Sequence, residues 1–299
     1  MNKFVFVEVG STTSKGYIYD NGNFEFHNLI SIEFKKNYKL NNSILEDDKE
    51  KLFDYIFELK KICNDVFVFG TSIFRSLSDE EREDWINEFK EKTNCDFKVV
   101  TAEQENDYTV YGALEHCNIK EPVAVMIGGG GSTELTIISD GKVIEKRHYS
   151  FGAQDITDRF PDLAEDKVKA DFDEMIGYAH SLINGLDNKA KYMILTGGDY
   201  LTFYQKLGFP LVENTLFKDD RQPFMIDSNT MEEFDKKYFY EMSLEKVIEE
   251  NGNPNWWRCT RGMRVCVTML VRYMDCEYVI PTRIGMLYGI VNEILKEDK

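Results

Sequence analysis

The chain restarts partway along. Residues 4–9 (FVFVEV) read as a strand that runs into Gly10-Ser11-Thr12, then a strand at 16–20, an Asn21-Gly22 turn and a strand at 23–27. Asn-Gly between two β-rich runs is a strong hairpin signal. After Pro122 the order recurs: VAVMI at 123–127, a glycine run ending in Gly131-Ser132-Thr133, a strand at 134–138, an Asp140-Gly141 turn and a strand at 143–149. Gly-Ser-Thr comes back at an interval of 121 residues (10 to 131), and the turn glycine at 119 (22 to 141). Matching strand–loop–strand–turn–strand units imply an internal duplication: two α/β domains, each opening with a β-meander whose first turn is a small-residue loop. A length of 299 residues suits two domains of roughly 100–200 residues, and the boundary is expected near residue 120.

The rest of the chain alternates. Apolar residues Leu52, Tyr55, Ile56, Leu59 and Ile62 mark a helix face over 46–63. VFVF at 66–69 is a buried-type strand. Ser78 and Glu81 form a capping-box signature for a helix to about Lys92. A strand at 97–100 and a helix at 103–116 follow. The second half adds helices at 165–186 and 261–274, strands at 193–196 and 278–281, a polar, helix-and-loop stretch at 218–256, and a last helix at 285–296. Strands of βαβ type after each meander predict mixed sheets with helices on both faces.

Charge narrows the function. Fifty-three acidic residues against 36 Lys and Arg give a net −17. That disfavours a sequence-independent nucleic-acid binder, which needs cations to displace counterions, and a polybasic membrane anchor. An anionic substrate must be captured by a local device, because the overall field repels it. No apolar run approaches the roughly 18 residues of a membrane span, and the N-terminus lacks a signal-peptide pattern. Six scattered cysteines without a CxxC pair fit reduced thiols in a cytoplasmic protein. Four scattered histidines make a zinc site an unattractive reading.

A loop of Gly, Ser and Thr between two strands offers closely spaced N–H groups and short hydroxyls, a nest suited to phosphate. Four consecutive glycines, Gly128 to Gly131, cost about 0.5–1 kcal/mol each relative to alanine in regular structure. Something must need that space, and close approach of a phosphate is the reading preferred here. Two such loops could grip a phosphate chain from both sides.

These residues resemble the exopolyphosphatase and guanosine-pentaphosphate phosphohydrolase (Ppx/GppA) family of the actin, Hsp70 and sugar-kinase superfamily. The family's first loop, D-[IL]-G-S-N-S, appears as Glu8-Val9-Gly10-Ser11-Thr12-Thr13. A-T-S-A-x-R appears as Gly70-Thr71-Ser72-Ile73-Phe74-Arg75, and S-G-x-E-E-A weakly as Thr101-Ala102-Glu103-Gln104-Glu105-Asn106. D-I-G-G-G-S-T-E-L is the strongest: Gly129-Gly130-Gly131-Ser132-Thr133-Glu134-Leu135 matches without a gap. Ser150-Phe151-Gly152, Gly197-Gly198 and the RIGMLYG segment from Arg283 resemble later elements, in family order.

The resemblance implies two duplicated actin-like (ribonuclease H-like) domains, 1–120 and 121–299, with mixed sheets flanked by helices and an interdomain cleft. The C-terminal helix, about 285–299, is a candidate to pack back onto the first domain. The length matches the shorter, two-domain members. The implied chemistry is release of terminal phosphate from polyphosphate or guanosine pentaphosphate. In that reading Glu105 acts on the attacking water and Arg75 offers a planar fork to phosphate oxygens. Gly10, Ser11, Thr12, Gly129, Gly130, Gly131, Ser132 and Thr133 bind phosphate, and Glu8 and Glu134 hold Mg²⁺ or another divalent cation. The plainer alternatives are that Glu105 is an exposed helix acid and that Arg75 pairs with the acidic helix at 79–84.

Two departures bear on activity. Ile127 stands where the family has the aspartate of the second loop, and Gln104 where it usually has a glutamate. A catalytically weak or inactive phosphate or nucleotide sensor therefore stays open, as does a superfamily kinase. An iron–sulfur activator of dehydratases, suggested by Gly10 to Thr13, lacks a cysteine cluster. Partners expected are phosphate-rich small molecules or polyphosphate, with no nucleic acid and no membrane; monomer versus homodimer stays open. Arg258, Arg261, Arg264, Arg272 and Arg283 form the one basic cluster, read either as a second phosphate patch or as partners of surface acids. Trp256 and Trp257 read as core, with an interface patch as the alternative.

Overall fold

The computed structural model describes residues 3–243, 245, 249 and 257–297; the side chains of Trp257 and Arg258, like residue Trp256, lie outside that description. The chain divides into two compact units, Met1–Asp107 and Tyr108–Lys299.

The first unit is built on a five-stranded mixed sheet ordered β3-β2-β1-β4-β5. Its strands are β1 (Lys3–Val9), β2 (Thr13–Asp20), β3 (Asn23–Ser31), β4 (Val66–Gly70) and β5 (Phe97–Val99). β1 runs antiparallel to β2 and parallel to β4. Alternation sorts β1 by face. Val5, Val7 and Val9 pack into a core with Phe34, Leu52, Ile56, Phe74, Trp85, Phe89 and Phe97. Phe6 turns to the other face and stacks on Phe67, 5.2 Å between ring centres. The core is closed by helices α1 (Phe34–Asn41), α2 (Glu46–Lys60), α3 (Ile73–Ser76) and α4 (Asp79–Thr93). Ser78 and Glu81 do form the expected capping box at the start of α4. Helix α5 (Ala102–Leu114) crosses the division between the units.

The second unit repeats the plan and extends it, with the order β10-β11-β12-β9-β6-β7-β8. β6 (Val123–Gly128), β7 (Thr133–Ser139), β8 (Lys142–Tyr149), β9 (Tyr192–Thr196) and β12 (Tyr278–Pro281) hold the places of β1 to β5. β11 (Phe224–Asp227) and the short β10 (Val212–Glu213) are additions. Helices α6 (Ala153–Arg159), α7 (Phe172–Ser181), α8 (Tyr200–Leu207), α9 (Ser228–Tyr240) and the helix Trp257–Met274 surround this sheet. Two duplicated α/β units with mixed sheets flanked by helices are thus the observed fold class.

The register of the duplication is 119 residues. Gly10 N–H donates to Thr13 O at 2.9 Å, and Gly129 N–H donates to Ser132 O at 2.9 Å. The turn residues Asn21 and Asp140 both take positive φ, 51° and 47°, as a type I′ hairpin turn requires. The two Gly-Ser-Thr triplets, 121 apart, are therefore not equivalent to each other. Ser11 corresponds to Gly130, and Glu8 to Ile127.

Several expectations need correction. The helix anticipated over 165–186 is confined to Phe172–Ser181, because Asp171 caps it by accepting from the N–H groups of Asp173 and Glu174. The stretch 218–256 contains strand β11 besides α9. Two members of the arginine cluster are buried rather than on the surface. Arg261 and Arg264 are each 1% exposed. Arg264 makes a bidentate pair with Asp235 (Nε–Oδ1 2.7 Å, Nη2–Oδ2 2.8 Å), and Thr268 donates to the same carboxylate at 2.7 Å. Arg261 is spent on the carbonyls of Glu165 and Met242, at 2.7 and 2.9 Å. Of the described side chains in the cluster, Arg272 and Arg283 reach solvent; Arg272 holds Glu232 and Asp173, and Arg283 lies 3.5 Å from Asp199.

The last helix, Met286–Glu297, crosses α5 at glycines of both. A Cβ on Gly112 would stand 3.0 Å from Gly289 N, and one on Gly289 would run into the Tyr108 carbonyl. Both helix segments belong to the second unit, although Tyr108 and Gly112 fall within 1–120.

Acid sensitivity has an identifiable source in Glu232. The hydrogen bond from Arg272 holds the Glu232 carboxyl down to about 2. Its contribution is present above the unfolded value of about 4.3 and is lost as pH falls toward 2. The melting temperature of wild type is expected to drop across that window more steeply than that of Glu232→Gln; parallel curves would remove this pair as a cause.

Candidate functional site

In the first unit the candidate residues gather at the β1–β2 turn, the end of β4 and the start of α5. The turn Gly10 to Thr13 is pinned by Ile32 N–H donating to Thr12 O and Lys35 N–H donating to Ser11 O, both at 3.1 Å. Ser11 Oγ donates to Ser72 Oγ at 2.7 Å. Ser72 has φ 44° and ψ −95°, a strained backbone for a residue with a Cβ; such strain costs on the order of 1–3 kcal/mol and collects at functional sites. Thr71 N–H, donating to Val9 O at 3.0 Å, helps impose it. Sequence reasoning left Ser72 out of the site, although the Gly70–Arg75 signature contains it.

Three residues beyond Ser72, Arg75 donates from Nη1 to Glu105 Oε2 at 2.5 Å and to Val100 O at 3.1 Å. Arg75 therefore pairs with Glu105 rather than with the acids of α4. Glu105 lies in the first turns of α5, and Gln104 explains why that helix starts there. Thr101 N–H donates to Gln104 Oε1 at 3.0 Å while Gln104 N–H donates to Thr101 Oγ1 at 3.1 Å, a reciprocal capping box that Gln completes as well as Glu does. The departure at Gln104 thus leaves the helix start intact. Glu8, at the end of β1, faces Lys15 across the ladder with 3.9 Å between charges.

In the second unit the four glycines divide by role. Gly128 is needed by packing, since a Cβ there would meet Met263 Sδ and Tyr200 Oη at 2.6 Å. Gly129 makes the hairpin bond to Ser132. Gly130 and Gly131 have nothing within 4 Å of a would-be Cβ, so the fold itself does not require glycine at either. The loop carbonyls are fastened from behind: Ala153 N–H donates to Gly129 O at 3.0 Å and Gln154 N–H to Gly130 O at 2.7 Å. Gly152 is obligatory there, because a Cβ would collide with the Gly129 carbonyl. Thr133 is carried inward by β7; it is fully buried and its hydroxyl donates to Phe151 O at 3.0 Å. Gly197, after β9, has φ 82° and corresponds to Gly70.

Ile127, Glu134 and His148 occupy one rung across β6, β7 and β8. His148 Nδ1 lies 3.0 Å from Glu134 Oε1. The candidate metal carboxylates are Glu8 in the first unit and Glu134 in the second, each considered by itself, and among the described residues no three His, Cys, Asp or Glu side chains converge. A single carboxylate of this kind suits an ion such as Mg²⁺, which commonly takes one or two carboxylates and completes its shell with substrate phosphates and water.

The openness of Gly130 and Gly131 yields a separable prediction. Gly131→Ala is expected to leave the melting temperature unchanged or slightly raised, since a compatible Gly→Ala adds about 0.4–1 kcal/mol. Affinity for inorganic phosphate or tripolyphosphate should fall. A variant that binds both normally would assign these glycines no ligand role.

The sequence model of the Ppx/GppA phosphatase family matches residues 27–198, more than half of the chain. No curated protein matches the chain in sequence. Among solved structures, the Aquifex aeolicus member of the Ppx/GppA family is similar over 99% of both chains, at 16% identity and a TM-score of 0.76. The type II variant of the Aquifex aeolicus Ppx/GppA phosphatase matches over 97% of this chain and 98% of its own, at 15% identity and a TM-score of 0.78. An exopolyphosphatase from Cytophaga hutchinsonii matches over 99% and 98%, at 16% identity and a TM-score of 0.73. At these identities the structural likeness establishes the fold.

Proposed function

Because the chain belongs to the Ppx/GppA phosphatase family, we propose that it is a phosphoanhydride hydrolase that removes the terminal phosphate of inorganic polyphosphate or guanosine pentaphosphate. The observation that supports this most is the Arg75–Glu105 pair standing beside the strained Ser72 and the first loop. In this reading the loop N–H groups and the hydroxyls of Ser11 and Ser72 orient the terminal phosphate. Arg75 fixes the Glu105 carboxylate and turns its remaining donors to phosphate oxygens. Glu105 takes the proton from a water whose oxygen attacks phosphorus. The anhydride P–O bond breaks, and the bridging oxygen leaves with the shortened chain. A divalent cation held by Glu8 or by Glu134, with phosphate oxygens completing its shell, would neutralise charge on the transferring group.

All six cysteines are free thiols, which supports a reducing, cytoplasmic setting. Among the described residues no helix is long and apolar enough to cross a membrane.

Ile127 favours one second reading, a domain of the same fold that binds phosphate without turning it over, since an apolar side chain replaces a carboxylate beside Glu134. Turnover in heavy-oxygen water separates the readings. Hydrolysis must place one solvent oxygen in each released phosphate, a kinase would place none there, and a sensor would release no phosphate.

A further inference from the structure

Helix α1 breaks the electrostatic habit of its surroundings. Its sequence, FKKNYKLN, carries three lysines and no acid, in a chain with 53 acidic residues against 36 basic ones. The neighbouring helices α2 and α4 each place three acids in their first turn (Glu46, Asp47, Asp48 and Asp79, Glu80, Glu81), as the helix dipole favours. α1 instead puts Lys35 and Lys36 in its first turn, where cations are disfavoured.

The helix is also held in one orientation. Phe34 is buried in the core, Asn37 donates to Asp48 at 2.8 Å, and Tyr38 donates to Glu81 at 3.1 Å. Those contacts turn Lys35, Lys36 and Lys39 outward, all three exposed. Glu33 precedes the helix as its N-cap residue, and Glu46 and Glu88 are paired with Lys49. Among the described residues none of the three lysines forms an ion pair within 4.0 Å. The track begins at the candidate site, because the backbone N–H of Lys35 donates to the carbonyl of Ser11.

We infer that Lys35, Lys36 and Lys39 form an outer subsite for a long inorganic polyphosphate, holding the part of the chain that extends beyond the first loop and favouring long chains over short ones and over a nucleotide. No ion pair within 4.0 Å among the described residues accounts for this cationic face beside a phosphate loop, whereas a polyanion would release counterions on meeting it. This inference takes its substrate class from the hydrolase reading.

The test compares wild type with the triple variant K35Q/K36Q/K39Q, with K35R/K36R/K39R, and with the control K51Q/K92Q, all as full chains. Binding of long-chain polyphosphate and of tripolyphosphate is measured at several salt concentrations, alongside phosphate release. The glutamine variant is expected to weaken long-chain binding about tenfold at low salt and to flatten its log–log salt slope by about 2–3. Tripolyphosphate binding should stay unchanged, and the arginine variant and the control should behave as wild type. Equal loss for both ligands, or no loss, would overturn the inference whatever the turnover. Salt-dependent long-chain binding without any phosphate release would overturn the hydrolase reading and leave the subsite standing.

Discussion

Glu105→Gln is expected to lower phosphate release by about 10²–10⁴, the usual worth of a positioned general base, while leaving the fold intact. The replacement is nearly isosteric, and Glu105 lies on a helix whose start is secured independently by the Thr101–Gln104 capping box. Arg75 would keep its bond to Val100 O at 3.1 Å, so the guanidinium stays near its place. The loss should therefore fall on turnover while phosphate affinity persists. Arg75→Lys is the companion variant. A point charge cannot hold Glu105 and a phosphate at once as a planar fork can, so it should weaken both affinity and turnover. A Glu105→Gln protein that turns over normally would remove Glu105 from the chemistry.

Asp235→Ala is expected to destabilise the second unit by about 3–5 kcal/mol, the cost of stranding a buried partner charge. Arg264, 1% exposed, would lose both of its carboxylate bonds with no solvent to replace them, and Thr268 would lose its acceptor. Chemical denaturation should show the midpoint falling with the slope unchanged. The double variant Asp235→Leu with Arg264→Met should recover much of the loss, because an apolar pair of similar volume can replace a buried ion pair at little cost. A small effect of Asp235→Ala would mean that water reaches Arg264.

Much of this was legible in the sequence because it is local. The two meanders, their Asn21-Gly22 and Asp140-Gly141 turns and the Ser78–Glu81 capping box depend on residues a few positions apart. The repeat was visible, but its register was blurred by the matching Gly-Ser-Thr triplets. The turn glycines carried the interval of 119, and the backbone bonds of Gly10 and Gly129 agree with them. Pairings distant in sequence were not legible. Arg261 and Arg264 read as a cationic stripe because Asp235 and the carbonyls that absorb them lie elsewhere in the chain. Gln104 read as a lost carboxylate, although Thr101-x-x-Gln104 is itself a capping signature. Backbone strain such as that at Ser72 leaves no mark on residue type, and the inward turn of the Thr133 side chain depends on strand register.

The central claim is that this chain hydrolyses phosphoanhydrides with the help of a divalent cation. Its most direct test is phosphate release by the wild-type chain from polyphosphate and from guanosine pentaphosphate, with Mg²⁺ and again with the cation chelated. Release from at least one of them, abolished by chelation and restored by Mg²⁺, is the predicted result. Binding of both without release of phosphate at any Mg²⁺ concentration would contradict it.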